Sequence, residues 1–480
     1  MDPIFGLQLR VDRQGQEPLR VQLQRQLSHA IFEGRLKAGT LLPPSRQLAA
    51  LLGVSRNTVM QVYEQLASEG LLLSKPGSGT EVRDLALPAS QEPGRPDAGR
   101  WLKGLWHDLT LFAPPERALP YDFALGAADL SLFPFDHWRR CQVRALRQFE
   151  TQGLDMDWAG YPPLRALIAS FVSQSRAVSC NPGQVLVCSG AQQGFSLIGS
   201  ALIEPGKTLV AMESPGYPMA RRAFLAAGAR VVEVPVDAEG LMVDALPGGV
   251  DLVYVTPSHQ FPTTVAMSAS RRLALLQQAR ARDFLIIEDD YDAEFQLGGQ
   301  PIDALQTLDK DGRVLYVGTF SKCMFGDLRL GFVIVPDWLV QPLVLARQAA
   351  DLHSPLVAQA ALAEFIRQGA LRRHVRAMGK QYRAKHQEVC QALAGCPWLV
   401  PVPLLAGVHM ALLADEALDL EALVIRARAL GVNVSHSGPF GLAAGTRPRH
   451  LLLGLGPIAL EDIAPAMARL NAAVAEQIKA

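Results

Sequence analysis

Five short apolar runs in the second part of the chain constrain its fold more than any other feature. Turn residues bound each run, and helix-like segments such as 191–203, 268–282 and 353–392 separate several of them. The runs are QVLVC (184–188), TLVAM (208–212), VDLVYV (250–255), FLIIED (284–289) and RVLYVGT (313–319). Alternation of this kind predicts an α/β domain built on a mostly parallel sheet.

A change in composition divides the chain before this region. Residues 83–117 contain LPASQEPGRPDAG and LFAPPERALP, and this Pro/Gly/Ser content is typical of a linker. WLKGLW in its middle is compatible with a short helix. We therefore expect a compact N-terminal domain at 12–82, a linker at 83–117 and a large domain at 118–478. A chain of 480 residues has room for two or three domains.

Composition narrows the class of protein further. Hydrophobic residues make up 49% and charged residues 19%, so a large core is available and wholesale disorder is unexpected. The six cysteines form no CxxC pair and no His/Cys cluster with zinc spacing, so we expect reduced thiols and no metal. No signal peptide or membrane-length apolar stretch occurs. The expectation is a cytoplasmic protein without a membrane partner.

The N-terminal domain begins with a helical pattern. Leu19, Leu23, Leu27 and Ile31 follow at helical spacing, and Gly34 is a stop signal. Two short helices should follow, one capped by Ser45 and the next by Ser55, around the turn Leu52-Gly53-Val54. This arrangement predicts a helix-turn-helix.

The second of these two helices has the composition of a recognition helix. Val59, Val62, Tyr63 and Leu66 form its apolar stripe. Polar side chains occupy its first turns and face away from that stripe, where a helix in the major groove meets bases and phosphates; they are Arg56, Asn57, Thr58 and Gln61. LLLSKPGSGTEV then predicts two strands around a Gly-rich turn, a wing in which Lys75 could touch the DNA backbone.

This segment resembles the GntR-type winged helix over about residues 18–82. The matching motifs are LPPSRQLA (42–49), LGVSRNTV (52–59) and GSG (77–79). The resemblance implies that Arg46, Arg56, Thr58 and the glycines of the wing lie at a double-stranded DNA operator. The full set of candidate DNA-binding residues is Arg46, Ser55, Arg56, Asn57, Thr58, Gln61, Lys75, Gly77 and Gly79.

In the large domain, the position of one lysine is unusual. Lys322 is the only lysine after residue 118 that directly follows an apolar run, and open α/β sheets bind their ligands at strand ends. Thr319 and Ser321 place hydroxyls beside it, and Arg329 offers a planar fork for a phosphate. A lysine, a carboxylate, a phosphate site and a stacked ring are what pyridoxal phosphate needs from a protein.

Two further strand ends supply the remaining groups. Asp289 and Tyr291 follow the run at 284–289, where a carboxylate would keep the pyridine nitrogen protonated and a phenol would reach the ring hydroxyl. SGAQQGF (189–195) follows the first run and begins a helix, and a helix N-terminus after small residues is an anion site.

The order SGAQQ, ESPGYP, TPSHQFPT, IEDDYD, GTFSK and LRLG resembles the fold-type-I aminotransferases over about residues 118–478. Together with the winged helix, the chain resembles the MocR/GabR regulators. The resemblance implies a type I aminotransferase fold, a Schiff base between pyridoxal 5'-phosphate and Lys322, Asp289 on the pyridine nitrogen, Tyr291 on the ring hydroxyl and Tyr217 over the ring. It also implies a homodimer and a phosphate site made by Ala191, Gln192, Thr319 and Arg329.

The chain departs from the family pattern at four places. Thr264 stands where the family usually has glycine, and Asp155 replaces the tyrosine that reaches across the dimer. Leu452 and Met219 occupy two positions where related proteins have arginine, the first of which clamps a substrate carboxylate in aminotransferases. Arg447 and Arg449 lie close in sequence to Leu452, and whether either replaces the clamp stays open at this stage.

Three functions are compatible with these motifs. The first is a transcriptional regulator whose aminotransferase-like domain senses a small amine, and the second is a regulator that senses pyridoxal phosphate itself. The third is an active aminotransferase with an accessory DNA-binding domain. For either kind of regulator we expect at most weak transamination. Residues 18–82 favour a regulator, because transamination chemistry does not require them.

Overall fold

The computed structural model describes residues 7, 9–75, 79–85, 100, 104–108, 119–292, 294–295, 303–403, 407–441 and 447–479. The chain forms two compact units, Met1–Leu109 and Thr110–Ala480. Leu109 lies within the stretch 83–117 that composition marks as a linker. Among the described helices, none combines the length and apolar character needed to cross a membrane.

The first unit is a winged helix, which confirms the fold predicted for it. Three strands form an antiparallel sheet in the order β1-β3-β2, and β2 and β3 are the two strands of the predicted wing. The elements are α1 Leu19–Phe32, β1 Leu41–Leu42, α2 Ser45–Leu52, α3 Arg56–Ser68, β2 Leu72–Lys75, β3 Gly79–Val82 and α4 Leu105–Asp108.

A small apolar core joins these helices. Leu23 and Leu27 of α1 pack with Val59, Val62 and Leu66 of α3, and all five are fully buried. These are the residues that the helical spacing placed on the apolar faces. The unit is therefore held together by one stripe from each helix, which leaves the opposite face of α3 in solvent.

One of the two predicted helix caps is wrong. Ser55 caps α3 as expected, because its hydroxyl accepts the backbone N–H of Thr58 at 3.0 Å. Ser45 does not cap α2 but is its first helical residue, and Pro44 occupies the cap position without a side-chain hydrogen bond. Proline is compatible with that place because its φ is already near the required value and it has no N–H to satisfy.

The second unit is built on a larger, eight-stranded sheet in the order β5-β12-β11-β10-β9-β6-β7-β8. Its strands are β5 Val185–Cys188, β6 Leu209–Ser214, β7 Arg230–Asp237, β8 Gly240–Leu241, β9 Leu252–Val255, β10 Leu285–Asp290, β11 Val314–Thr319 and β12 Gly331–Ile334. All five predicted runs lie in this sheet. Strands β7, β6, β9, β10 and β11 are mutually parallel, whereas β12 pairs antiparallel with β11 and β5, so the prediction of a mostly parallel sheet is confirmed.

Helices cover both faces of this sheet, which explains why several of its strands, including β5 at the edge, are apolar throughout. Strands β5, β9 and β11 are buried at every residue. The helices of the second unit are α5 Phe135–Gln152, α6 Pro162–Arg176, α7 Ala191–Leu202, α8 Pro218–Ala227, α9 Ala269–Arg282, α10 Asp337–Ala350, α11 Leu356–Arg367, α12 Ala370–Leu393, α13 Leu420–Ala429 and α14 Ile463–Lys479.

Two features of this unit differ from the sequence expectation or go beyond it. The segment 353–392 is two helices, because Gly369 adopts φ +68° and separates α11 from α12. A second sheet, in the order β13-β14-β17-β16, follows the long helix α12. The remaining strands are β4 Tyr121–Asp122, β13 Leu399–Pro401, β14 His409–Ala414, β15 Val432–Asn433, β16 Ser435–His436 and β17 His450–Gly454.

Strand β17 ends at a close backbone contact. The backbone N–H of Gly454 donates to the carbonyl of Phe123 at 2.9 Å, and a Cβ on Gly454 would overlap the carbonyl oxygen of Ala124. The segment held in this way continues to Gly126, which contacts Lys322. Gly454 therefore fixes the position of a segment beside the lysine.

We expect Gly454→Ala to destabilise the second unit by about 1–3 kcal/mol, because the backbone on either side of the contact must shift. Gly395→Ala is the matched control, since a Cβ there would meet no atom within 4 Å. Thermal unfolding of the two variants measures the difference. Equal melting temperatures would show that the segment can shift without a loss of stability.

Candidate functional site

One cavity collects the side chains that the motifs select. It has a volume of about 430 Å³ and lies where strands β5, β10 and β11 end. The nine predicted cofactor residues all line it, namely Ala191, Gln192, Tyr217, Asp289, Tyr291, Thr319, Ser321, Lys322 and Arg329. These residues are spread from position 191 to position 329 in the sequence, so the folding of the sheet brings them together.

Lys322 enters this cavity from the end of β11. Its ammonium group donates to the carbonyl oxygen of Gly126 at 2.5 Å. Burial lowers the pKa of Lys322, although the nearby carboxylates of Asp292 and Asp289 act in the opposite direction. A lowered pKa increases the fraction of unprotonated amine, which is the form that attacks a carbonyl group.

Asp289 is a buried carboxylate with one free oxygen. Its Oδ2 accepts the hydroxyl of Tyr254 at 2.6 Å, while Oδ1 has no hydrogen-bond partner among the described residues. Burial raises the pKa of Asp289 to about 7. Tyr254 was not identified from the sequence, although a phenol in an otherwise aliphatic buried run signals a polar contact.

The opposite end of the cavity is suited to an anion. Helix α7 begins at Ala191, and the guanidinium of Arg329 lies against Gly190, where a Cβ would come within 3.1 Å of it. The hydroxyl of Thr319 donates to that of Ser321 at 3.0 Å. Helix N–H groups, hydroxyls and a guanidinium are the donors that hold phosphate in proteins.

Aromatic rings form the walls between these two ends. Tyr217 packs edge-on against Phe261 with ring centroids 5.5 Å apart, and burial raises the pKa of Tyr217 to about 12. The hydroxyl of Tyr291 lies 3.2 Å from Nδ1 of His259 and donates to the carbonyl of His259 at 3.0 Å. Both tyrosines are therefore neutral hydrogen-bonding groups near neutral pH.

A buried cluster behind Tyr291 was not identified from the sequence. His259, Asp292 and His409 each bring one ligand-capable atom within 4.8 Å of the others, and His409 also lines the cavity. The two motifs that carry His259 and Asp292, TPSHQFPT and IEDDYD, were recognised as family features without a role for either residue.

The arrangement fits pyridoxal phosphate at three independent points. The unpartnered oxygen of Asp289 suits a protonated ring nitrogen, Lys322 suits the aldehyde carbon, and the end formed by Ala191 and Arg329 suits the phosphate. These are observations on this chain's own side chains, and they match the requirements of the cofactor.

The structure places two departures from the family pattern, Leu452 and Thr264, and the two arginines near Leu452 in sequence. Leu452 is fully buried in β17, directly opposite Ala411 of β14. Arg449 pairs with the exposed Glu416 at 2.9 Å, and neither it nor Arg447 lines the cavity. Thr264 has φ +65°, an uncommon conformation for a β-branched residue that the family's usual glycine adopts freely.

Most candidate DNA-binding side chains are exposed on α2 and α3. Arg46, Arg56, Asn57 and Gln61 face solvent, and the hydroxyl of Thr58 contacts that of Ser55 at 2.8 Å. Gly79 starts β3 with φ +95°. Gly77 and the side chain of Lys75 lie outside the described residues.

Comparison with known proteins supports both units. The family model for bacterial regulatory proteins of the gntR family matches residues 19–82, and that for class I and II aminotransferases matches 122–450. The kynurenine aminotransferase of Pyrococcus horikoshii superposes with a TM-score of 0.73 at 24% identity, over 80% of this chain and 99% of that one. The chain is thus a gntR-type DNA-binding domain fused to a type I aminotransferase fold.

Relatives with the same two-domain layout define the family. The probable rhizopine catabolism regulatory protein MocR of Rhizobium meliloti is 38% identical over 88% of this chain and 87% of its own length. The pyridoxine biosynthesis regulator PdxR of Corynebacterium glutamicum is 35% identical, covering 86% and 88%. TauR of Rhodobacter capsulatus is 34% identical over 96% and 97%. The chain belongs to this MocR-type family of transcriptional regulators.

We expect Asp289→Asn to weaken cofactor binding but to stabilise the cofactor-free protein above pH 7. Folding raises the pKa of Asp289 from 3.8 to about 7, so the folded protein loses stability as the pH rises through that window. The amide avoids this loss, which is on the order of 4 kcal/mol, because each pKa unit is worth about 1.4 kcal/mol.

Thermal unfolding of cofactor-free protein at pH 5 and pH 8 tests the prediction, with the exposed Asp244→Asn as control. The melting temperature of Asp289→Asn should exceed that of the wild type mainly at pH 8. A gain of equal size at both values would mean that the buried charge is not its cause.

Proposed function

We propose that this protein is a pyridoxal-phosphate-dependent transcriptional regulator. In this proposal a homodimer binds double-stranded operator DNA through the winged helix in the cytoplasm, and the cavity of the second unit senses a small amine or the cofactor itself. The observation that carries the proposal is the unpartnered, buried oxygen of Asp289 in the same cavity as Lys322 and the anion site.

Each residue of the cavity has a distinct task in this proposal. Bound pyridoxal phosphate would supply an aldehyde that reacts with primary amines and a ring that withdraws electrons from the product. Lys322 attaches the cofactor, Asp289 holds its ring nitrogen and Tyr254 orients the carboxylate of Asp289. Tyr217 covers the ring, and Tyr291 reaches the ring hydroxyl. The phosphate is held by Ala191, Gln192, Thr319, Ser321 and Arg329.

The effector's chemistry follows from what lines the rest of the cavity. Lys322 and Arg329 are the cations among its described lining residues, and the proposal assigns both to the cofactor. Phe261, Phe440 and Val408 make the remaining wall largely apolar. A carboxylate placed there would lack a charged partner, so we infer an amine without an α-carboxylate, or pyridoxal phosphate itself, as the signal.

Exposed apolar side chains on α5 support the homodimer. Val143, Leu146 and Phe149 follow each other at a spacing of three residues and are 43%, 52% and 57% exposed. A stripe of this kind on the surface of a folded unit is typical of an interface. Two linked winged helices would then bind two half-sites more tightly than one.

We expect Arg56→Ala to reduce affinity for the operator. Arg56 is exposed at the start of α3. If Arg56 contacts a base, the preference for that base over the others should fall by roughly 1–3 kcal/mol. If it contacts a phosphate, the slope of log affinity against log salt concentration should become shallower by about one. Fluorescence anisotropy on a genomic fragment recovered with the protein measures both quantities.

Arg35→Ala is the control for this experiment, because Arg35 is equally charged but pairs with Glu33 at 2.6 Å outside the two-helix motif. It should leave the affinity nearly unchanged. If Arg56→Ala binds like the wild type at every salt concentration, Arg56 does not belong to the interface.

We expect amines to react with the cofactor-loaded protein and the matching amino acids to react poorly. Phenethylamine and phenylalanine, or 3-methylbutylamine and leucine, differ by the carboxylate alone. A buried carboxylate without a partner costs on the order of 2 kcal/mol or more, so the amino acid should bind roughly 30-fold more weakly. Titration of the visible absorption band measures the two affinities.

Lys322→Ala is the control, because it should lack the visible band of the Schiff base. Borohydride, which reduces the C=N bond and removes that band, should leave the cofactor permanently bonded to Lys322 in the wild type only. A saturable response to an ordinary amino acid that disappears in Arg447→Ala or Arg449→Ala would contradict the prediction. It would show that one of these arginines supplies the carboxylate clamp.

A further inference from the structure

Among the residues that the structure describes, the hydroxyl of Tyr291 has two hydrogen-bonding neighbours, and both atoms belong to His259. Nδ1 of the imidazole lies 3.2 Å away, and the backbone carbonyl accepts the phenol's hydrogen at 3.0 Å. The two rings are also stacked, with centroids 5.7 Å apart and planes at 23°. The position of the phenol oxygen is therefore set by one residue.

His259 is itself held in place by Asp292. Its Nδ1 lies 2.9 and 3.0 Å from the two carboxylate oxygens. Asp292 Oδ2 also accepts the backbone N–H of Val408 at 3.0 Å, next to the first residue of β14. Both side chains are almost completely buried. Asp292 thus connects His259 to the second sheet and fixes the orientation of the imidazole.

The short contact indicates a hydrogen bond rather than a metal site. Two ligand atoms at about 2.0–2.1 Å from a tetrahedral zinc lie roughly 3.3 Å apart, which is longer than the 2.9 Å between His259 and Asp292. His409 is farther away, with Nδ1 at 4.0 Å from the carboxylate. The geometry is that of a donated N–H with an additional imidazole beside it.

Protonation of these groups agrees with such a network. Burial alone would raise the pKa of Asp292, but His259 and His409 lower it below its usual value, so the carboxylate is ionised near neutral pH. Burial lowers the pKa of His409 to about 3, so this imidazole is neutral. Asp292 is then an acceptor that favours a proton on Nδ1 of His259.

We propose that His259 is a positioning residue, oriented by Asp292, that holds the hydroxyl of Tyr291 where the phenol meets the ring hydroxyl of bound pyridoxal phosphate. The inference rests on the proposed function, because Tyr291 acts there only on a bound cofactor. Through Tyr291, His259 influences the protonation of Lys322 once the lysine is bonded to the cofactor.

Other titratable groups also face this site and contribute to its pH dependence. They come from the strands and segments packed around Tyr291 and His259, and they are Glu213, Asp289, Asp290, Asp292, Lys322 and His409. A single substitution would therefore not isolate His259. A double-mutant cycle does, because all other groups are common to its four members.

The experiment measures the pH midpoint of the visible absorption band of cofactor-loaded protein in four chains: wild type, Tyr291→Phe, His259→Leu and the double variant. When the cofactor is bound, the phenol would turn its one hydrogen from the carbonyl of His259 to the ring oxygen, where it competes with the nitrogen of Lys322 for that oxygen. Tyr291→Phe should therefore raise the midpoint by about one pH unit, the worth of a typical hydrogen bond. His259→Leu should raise it by a smaller amount.

Two conservative variants keep the test decisive if the leucine disturbs folding. The side-chain nitrogen of His259→Asn reaches the place of Nδ1 and should restore most of the wild-type midpoint. Asp292→Asn removes the acceptor that orients the imidazole, but its charge also raises the pKa of Lys322 directly. Its shift is therefore compared in the wild-type and Tyr291→Phe backgrounds, and the part transmitted through Tyr291 should be present only in the first. Thermal unfolding of each variant confirms that it is folded at the temperature of the measurement.

The proposal predicts that the double variant has the midpoint of Tyr291→Phe alone. Additive shifts, or a midpoint that His259→Leu leaves unchanged, would overturn it. One equivalent of zinc per chain, lost in His259→Leu, would also overturn it and make the cluster a metal site. Absence of a visible band in the wild type would instead refute the proposed function.

Discussion

The second unit is organised around one group whose burial costs folding free energy, the carboxylate of Asp289. Burial at the end of β10 raises its pKa to about 7, and the hydroxyl of Tyr254 satisfies only one of its two oxygens. A fold retains such a group when a ligand supplies the missing partner. The parallel strands around it, with apolar residues on both faces, form the rigid support that keeps this carboxylate from reaching water.

The same sheet explains why the site could be found in the sequence. Short apolar runs mark buried strands, and polar residues directly after them mark the edge at which strand ends meet, so Asp289 and Lys322 were assigned to one site although 33 positions separate them in the numbering. Side-chain contacts between residues of different strands and loops could not be predicted in this way. Tyr254 lies inside a run, and His259 meets Asp292 only after both loops have folded.

Sequence signals for helix ends predicted the structure correctly only where no neighbouring residue competed for the same position. Ser55 caps its helix because no other residue offers an acceptor there, whereas Pro44 displaced Ser45 from the corresponding place. A helical pattern continued across 353–392, and the left-handed conformation of Gly369 interrupted it. The second sheet was missed because its strands pair antiparallel with each other late in the chain, where the alternation of runs and helices has ended.

The contact between Lys322 and Gly126 couples chemistry to the backbone. The lysine donates to the carbonyl of Gly126 at 2.5 Å, and Gly126 follows directly on the backbone segment that Gly454 contacts. An amine cannot remain a charged donor to that carbonyl and also bond covalently to an aldehyde. An exchange of partner at Lys322 would therefore free the carbonyl of Gly126, in the segment that Gly454 holds at the end of β17.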